Sequence, residues 1–112
     1  MVNQGDIFYV NFDPSRGHEQ MHRRPAIALS HDLVRDTSGM TIVAPISSTN
    51  RVFPMYHRLI STNQVHGQVL LDQTKALDLA ARHVTSEDIV EHLSHSEFVT
   101  LIAQYKALFT ID

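Results

Sequence analysis

Apolar and polar positions alternate in short runs along most of the chain. Ile7-Phe8-Tyr9-Val10-Asn11-Phe12 is rich in β-branched and aromatic residues and stops at Asp13-Pro14, which predicts a first strand. Ala26 to Ser30 predicts a second, and His31 to Asp36 one helical turn. Met40 to Ile46 predicts a third strand, apolar enough to be central, with a bulge or an edge at Pro45. Met55 to Ile60 and Gln68 to Leu71 predict two more. From Leu77 to Val84 the apolar positions alternate, which favours another short strand. Ser94-His95-Ser96-Glu97 matches a capping box. Behind it Phe98, Leu101, Ile102, Tyr105, Leu108 and Phe109 recur at helical spacing, predicting an amphipathic helix over 95–109.

Short, closely spaced strands closed by one helix suggest a small, mostly antiparallel, bent sheet or barrel. A parallel arrangement would need crossover helices that the pattern lacks. At 112 residues, residues 1–112 are expected to form one domain. The core is modest at this size, so a second copy would help to cover it.

Composition narrows the chemistry. There is no cysteine, which excludes disulfides and thiolate metal sites. No run approaches the roughly 18–20 apolar residues of a membrane span, and the N-terminus lacks a signal-peptide pattern, so the expected location is the cytoplasm. Net charge is −3 and uneven. Residues 1–62 carry six basic and five acidic residues (+1), and residues 63–112 carry three basic and seven acidic (−4). A general polyanion binder is usually far more basic, so nucleic-acid contact should be local and drawn from the first half.

The polar loop between the first two strands holds Arg16, His18, Glu19, Gln20, His22, Arg23 and Arg24 before Pro25. A carboxylate among arginines suits acid–base chemistry on an anionic substrate. The bland alternative is a solvated loop with surface ion pairs worth about 0–1 kcal/mol. Ser47 and Ser48 likewise fit a strand-ending turn with locally bonded hydroxyls. His18/His22 and His92/His95 have pairwise metal-ligand spacing but no third ligand nearby in sequence, so no metal is expected.

Taken in order, Gly5-Asp6-Ile7, Asp13-Pro14, Glu19-Gln20, Arg24-Pro25, Leu29-Ser30, Gly39-Met40, Val43-Ala44-Pro45-Ile46-Ser47, Gly67, Asp72-Gln73, Lys75 and Arg82 resemble the MazF/PemK/Kid family of toxins from bacterial toxin–antitoxin pairs. The similarity runs from Gly5 to about residue 108, and Gly17-His18-Glu19-Gln20 looks closest to the ChpB branch. The resemblance implies an SH3-like barrel with a C-terminal helix, working as a homodimer and without cofactor. It implies sequence-specific, ribosome-independent cleavage of single-stranded RNA without metal. A cognate MazE-like antitoxin with an acidic flexible tail would block the site. Carried over, the catalytic residues are Glu19, Arg24 and Ser47; many members have Thr at the last position. Kid-type members have an arginine where this chain has Leu70.

On this reading Glu19 is the base for the 2′-hydroxyl, Arg24 the charge clamp and Ser47 a hydrogen-bond donor to the phosphate. His18 is the candidate acid. Products would carry a 2′,3′-cyclic phosphate and a 5′-hydroxyl. Bases would meet Ser48, Thr49, Asn50, Arg51, Phe53 and His57, with Phe53 stacking. Gln20, Arg23, Asp72, Gln73 and Lys75 complete the expected RNA-binding set; Asp72 could instead orient Arg24 or cap a turn. The alternative from another class is a non-catalytic CcdB-like toxin that grips DNA gyrase. The C-terminal Trp that such toxins use is absent here.

Overall fold

The structure, a computed structural model, describes residues 1–13 and 22–112. Among the described residues, seven strands form one antiparallel sheet: β1 Asp6–Asn11, β2 Arg23–Ala28, β3 Thr41–Ser47, β4 Tyr56–Arg58, β5 Gln68–Leu70, β6 Lys75–Leu77 and β7 Ile89–His92. Helix α1 spans Asp32–Ser38 and α2 spans His95–Ala107. A 3₁₀ turn, Ser86–Asp88, leads into β7. The sheet order is β4-β5-β3-β2-β1-β7, with β6 also on β3. The class is mostly β with a C-terminal helix, as expected. The ladder ends at β4 and β7, so of the bent sheet or barrel expected the structure shows the open form.

β3 is the centre of this sheet. One edge pairs with β2 through Val43, Ala44 and Pro45. The other edge pairs first with β6, over Thr41–Val43, and then with β5, at Ile46 and Ser47. The change of partner falls at Ala44-Pro45. Ile42 accepts from Leu29 N and donates to Ser30 Oγ, so even-numbered residues of β3 bond toward β2. Pro45, which has no N–H, therefore faces the gap between β6 and β5, where no donor is needed.

Both faces of the sheet are buried, which explains its nearly continuous apolar runs. Ile7, Ile27, Leu29, Ala44, Ile46 and Val69 face one cluster, covered by Phe98, Leu101, Ile102 and Tyr105 of α2. Phe8, Val10, Ala26, Ala28 and Val43 face the other, closed by Leu77 and Leu79. The predicted strand over 77–84 is a strand only to Leu77. Beyond it the chain turns, with Arg82 N donating to Asp78 O and His83 N to Ala80 O. Arg82 then reaches back to Asn11 O at 2.7 Å, pinning the end of β1.

The segment between β4 and β5 is held by two carboxylates. Glu97 accepts from Ile60 N and Ser61 N at 2.9 and 2.7 Å. Glu91 accepts from Asn63 N, Gln64 N and Val65 N at 2.9, 2.9 and 2.7 Å. The capping box expected at 94–97 is thus half formed. Ser94 Oγ accepts from Glu97 N at 3.3 Å, but the Glu97 side chain leaves its helix for the loop. Burial alone would raise both carboxyl pKa values. The donated hydrogen bonds outweigh it, aided for Glu91 by the charge of His66, and hold both below the ordinary 4.5.

Two outcomes follow. A carboxylate with a lowered folded pKa stabilises the fold above its unfolded value and ceases to do so as pH falls through the folded value. Melting temperature should therefore decline below about pH 4.5, and Glu91→Gln and Glu97→Gln should each flatten that decline; an acid limb unchanged in both variants would show that the clamps contribute nothing. Gly67 has φ +129°, and a Cβ there would lie 2.3 Å from Ser47 O. Gly67→Ala should cost roughly 1–3 kcal/mol from the backbone conformation alone, more with the clash, read by chemical denaturation.

Candidate active site

The register of the central strands brings two of the sequence-selected groups, Arg24 and Ser47, together. β2 and β3 pair as Ala28↔Val43, Ile27↔Ala44 and Ala26↔Pro45. Two further steps of the same register align Arg24 with Ser47. Alternation puts both on the sheet face that also carries Val10, Ala26 and Pro45. Beyond the apolar cluster this face opens into a cavity of about 480 Å³. Arg24 and Pro25 form one wall and Pro45 to Ser48 another. His66, Leu70 and Gln73 complete it. The size lies within the roughly 300–1,000 Å³ of small-ligand pockets.

Each wall has a chemical capacity. Arg24 is exposed and presents a planar guanidinium that can bond two oxygens of one phosphoryl group. Ser47 Oγ accepts from Thr49 N at 3.1 Å, the local turn that the bland reading predicts. That bond uses an oxygen lone pair and leaves the hydroxyl proton to donate. Leu70, at the Kid-type arginine position, makes part of the wall apolar.

The Ser48–Pro54 loop rises beside this cavity. Gln68 Nε2 donates to Thr49 O and Arg51 O at 3.0 and 2.7 Å, so the loop is fixed through its main chain. Ser48, Asn50, Arg51 and Phe53 are exposed, and Thr49 is half-buried. Phe53 meets Tyr56 edge to face at 5.1 Å. Gln73 lines the cavity. Asp72 is exposed in the turn after β5, outside the cavity wall. Lys75, also exposed, sits opposite Val43 on β6.

Two expected RNA contacts are placed elsewhere. His57 is corrected from a base-reading residue to a core residue, 7% exposed. Its Nε2 meets Glu97 Oε2 at 2.8 Å and its Nδ1 meets Gln104 Oε1 at 3.1 Å. Gln104 donates its amide to Pro54 O and Tyr56 O, so its oxygen accepts from the ring. This chain of bonds ties β4 to α2. Arg23, adjacent to Arg24 on a strand, projects to the opposite face. It pairs with Asp88 and donates to Tyr9 O at 2.9 Å, lining a separate hollow. His18, Glu19 and Gln20 lie outside the described residues. The segment carrying them joins the paired strand ends Asn11 and Arg23.

His66 also lines the cavity, a residue that no sequence motif singles out. Among the described residues, no three His, Asp or Glu side chains gather to hold a metal ion. No described helix is long and apolar enough to cross a membrane.

Comparison with known proteins bears on the family and the fold. Residues 3–109 match the profile of the PemK-like, MazF-like toxins of type II toxin–antitoxin systems. The endoribonuclease toxin MazF of Escherichia coli K12 is 32% identical over 88 residues, 79% of this chain and 78% of the relative. The endoribonuclease toxin ChpB of the same strain is 41% identical over 85 residues, 70% of this chain and 72% of the relative. The crystal structure of MazF (Form-I) from Deinococcus radiodurans superposes with a TM-score of 0.77 at 26% identity, covering 97% of this chain and 96% of that one. A MazE–MazF complex from the same organism gives 0.77 over 98% and 96%; at 21% identity it speaks for the fold alone. The match spans nearly the whole chain and the fold agrees end to end, so this chain belongs to the PemK-like, MazF-like toxins of type II toxin–antitoxin systems.

Proposed function

We propose that this chain is an endoribonuclease toxin that cleaves single-stranded RNA and is neutralised by a cognate antitoxin. The observation that carries the reading is that Arg24 and Ser47, from neighbouring strands, line one cavity of ligand size. Relatives named as endoribonuclease toxins support the same conclusion. The gyrase-gripping alternative has no comparable support.

The cleavage proceeds by attack of the substrate's own 2′-hydroxyl. Glu19 takes its proton. Arg24 clamps the phosphoryl oxygens as negative charge builds on the phosphorane, and Ser47 donates a further hydrogen bond. The P–O5′ bond breaks to give a 2′,3′-cyclic phosphate and a 5′-hydroxyl. Bases on either side are read by exposed side chains of the Ser48–Pro54 loop, with Phe53 as a stacking surface. The chain acts as one domain, in a homodimer, in the cytoplasm. An acidic, flexible antitoxin tail would compete for Arg24 and fold as it binds.

The test uses purified protein, a long single-stranded RNA and buffer containing a chelator. Discrete cuts with cyclic phosphate ends are expected. Arg24→Ala should slow them by about 10²–10³-fold, as for loss of an oxyanion donor. Ser47→Ala should slow them by roughly 10–100-fold, as for one hydrogen bond to a charged group. Both variants should melt near the wild-type temperature. Cuts that survive Arg24→Ala unchanged, or that require an added metal, would refute the reading.

A further inference from the structure

We propose that His66 is the general acid of the cleavage, donating its ring proton to the departing 5′-oxygen. The inference rests on the endoribonuclease reading of the Arg24–Ser47 cavity and assigns its proton donor to a described residue of that cavity in place of the candidate His18. An alkoxide leaves poorly at neutral pH unless it is protonated as the bond breaks. Of the described polar side chains lining the cavity, Arg24 holds its proton too tightly to give it up. Ser47, Ser48 and Gln73 are too weakly acidic. Histidine alone exchanges a proton in the neutral range.

The structure also fixes where His66 stands. The residue after it, Gly67, packs so closely on Ser47 that a Cβ would reach 2.3 Å from the Ser47 carbonyl oxygen. Gly67 O accepts from Leu59 N at 3.0 Å. The residue before it, Val65, is buried in the core, and its N–H is held by Glu91 at 2.7 Å. The backbone is thus anchored on both sides while the imidazole itself is exposed on the cavity wall. Two charged groups belong to its surroundings. Arg24 comes from β2 in the same cavity. Glu91 comes from β7, near enough for the histidine charge to favour its ionised form.

The step balances. The 2′-oxygen gives its proton to the Glu19 carboxylate and bonds to phosphorus. The P–O5′ bond breaks with its electron pair on O5′. The His66 ring proton passes to that oxygen, leaving a 5′-hydroxyl and a neutral imidazole. Exchange with water resets both side chains.

The test compares two oligonucleotides carrying the cut site mapped on long RNA. One has the natural 5′-oxygen at the scissile bond, the other a bridging 5′-sulfur, whose thiolate leaves without protonation. Wild type should cleave both. His66→Ala and His66→Gln should lose about 10²-fold or more on the oxygen substrate and stay within a few-fold of wild type on the sulfur substrate. Arg24→Ala should be impaired on both. Equal loss on both substrates would make His66 a merely positioning or folding residue and overturn the proposal. So would an undiminished rate on the oxygen substrate, or selective sulfur rescue of His18→Ala instead. In each of these cases wild-type cleavage leaves the endoribonuclease reading intact. If wild type cleaves neither substrate nor the long RNA, that reading fails and the inference with it.

Discussion

The arrangement depends on β3 having a strand on each edge. A central strand cannot slide without breaking ladders on both sides, so its last residue is delivered to a fixed place. That residue is Ser47. β2 is locked to it in a register that brings Arg24 alongside, and β5 pairs with Ser47 through Gln68. Proline in such a strand would ordinarily cost a ladder bond. Here Pro45 falls where the edge partner changes, and the sheet loses nothing there.

A second layer of order comes from acids that carry out no chemistry of their own. Glu91 and Glu97 gather five backbone N–H groups of the connection between β4 and β5. Without a partner, such donors would be left unsatisfied or exposed to water. With the carboxylates in place, a connection lacking regular structure becomes nearly as determined as a strand. The negative second half of the chain is thereby partly explained: some of its charge is internal fastening.

The sequence revealed the parts of this design that are periodic or local. β1, β3 and α2 stand out because their apolar positions repeat, and Arg24 and Ser47 because the ordered motifs around them resemble a known family. β7 was not foreseen, since four residues with two apolar side chains make too short a pattern. The 77–84 stretch alternates like a strand, yet its apolar residues reach the core from successive turns. His57 looked like a surface residue because its partner Glu97 is 40 positions away. Glu97 looked like a helix cap for the same reason: the backbone donors it satisfies belong to a distant segment. His66 was overlooked because nothing local records the approach of Gly67 to Ser47. In each case the missing information is a contact between segments remote in the chain.

The fastening of the Ser48–Pro54 loop has a consequence for how such proteins diversify. One buried glutamine, Gln68, grips this loop by its peptide carbonyls and makes no demand on the side chains above. Asn50, Arg51, Val52 and Phe53 can be exchanged while the floor beneath them stays as it is. If this loop reads bases as proposed above, preference for one message over another is separable from the capacity to cut. A lineage built on this scaffold could retarget itself by small substitutions in one exposed loop, without rebuilding its machinery or its core.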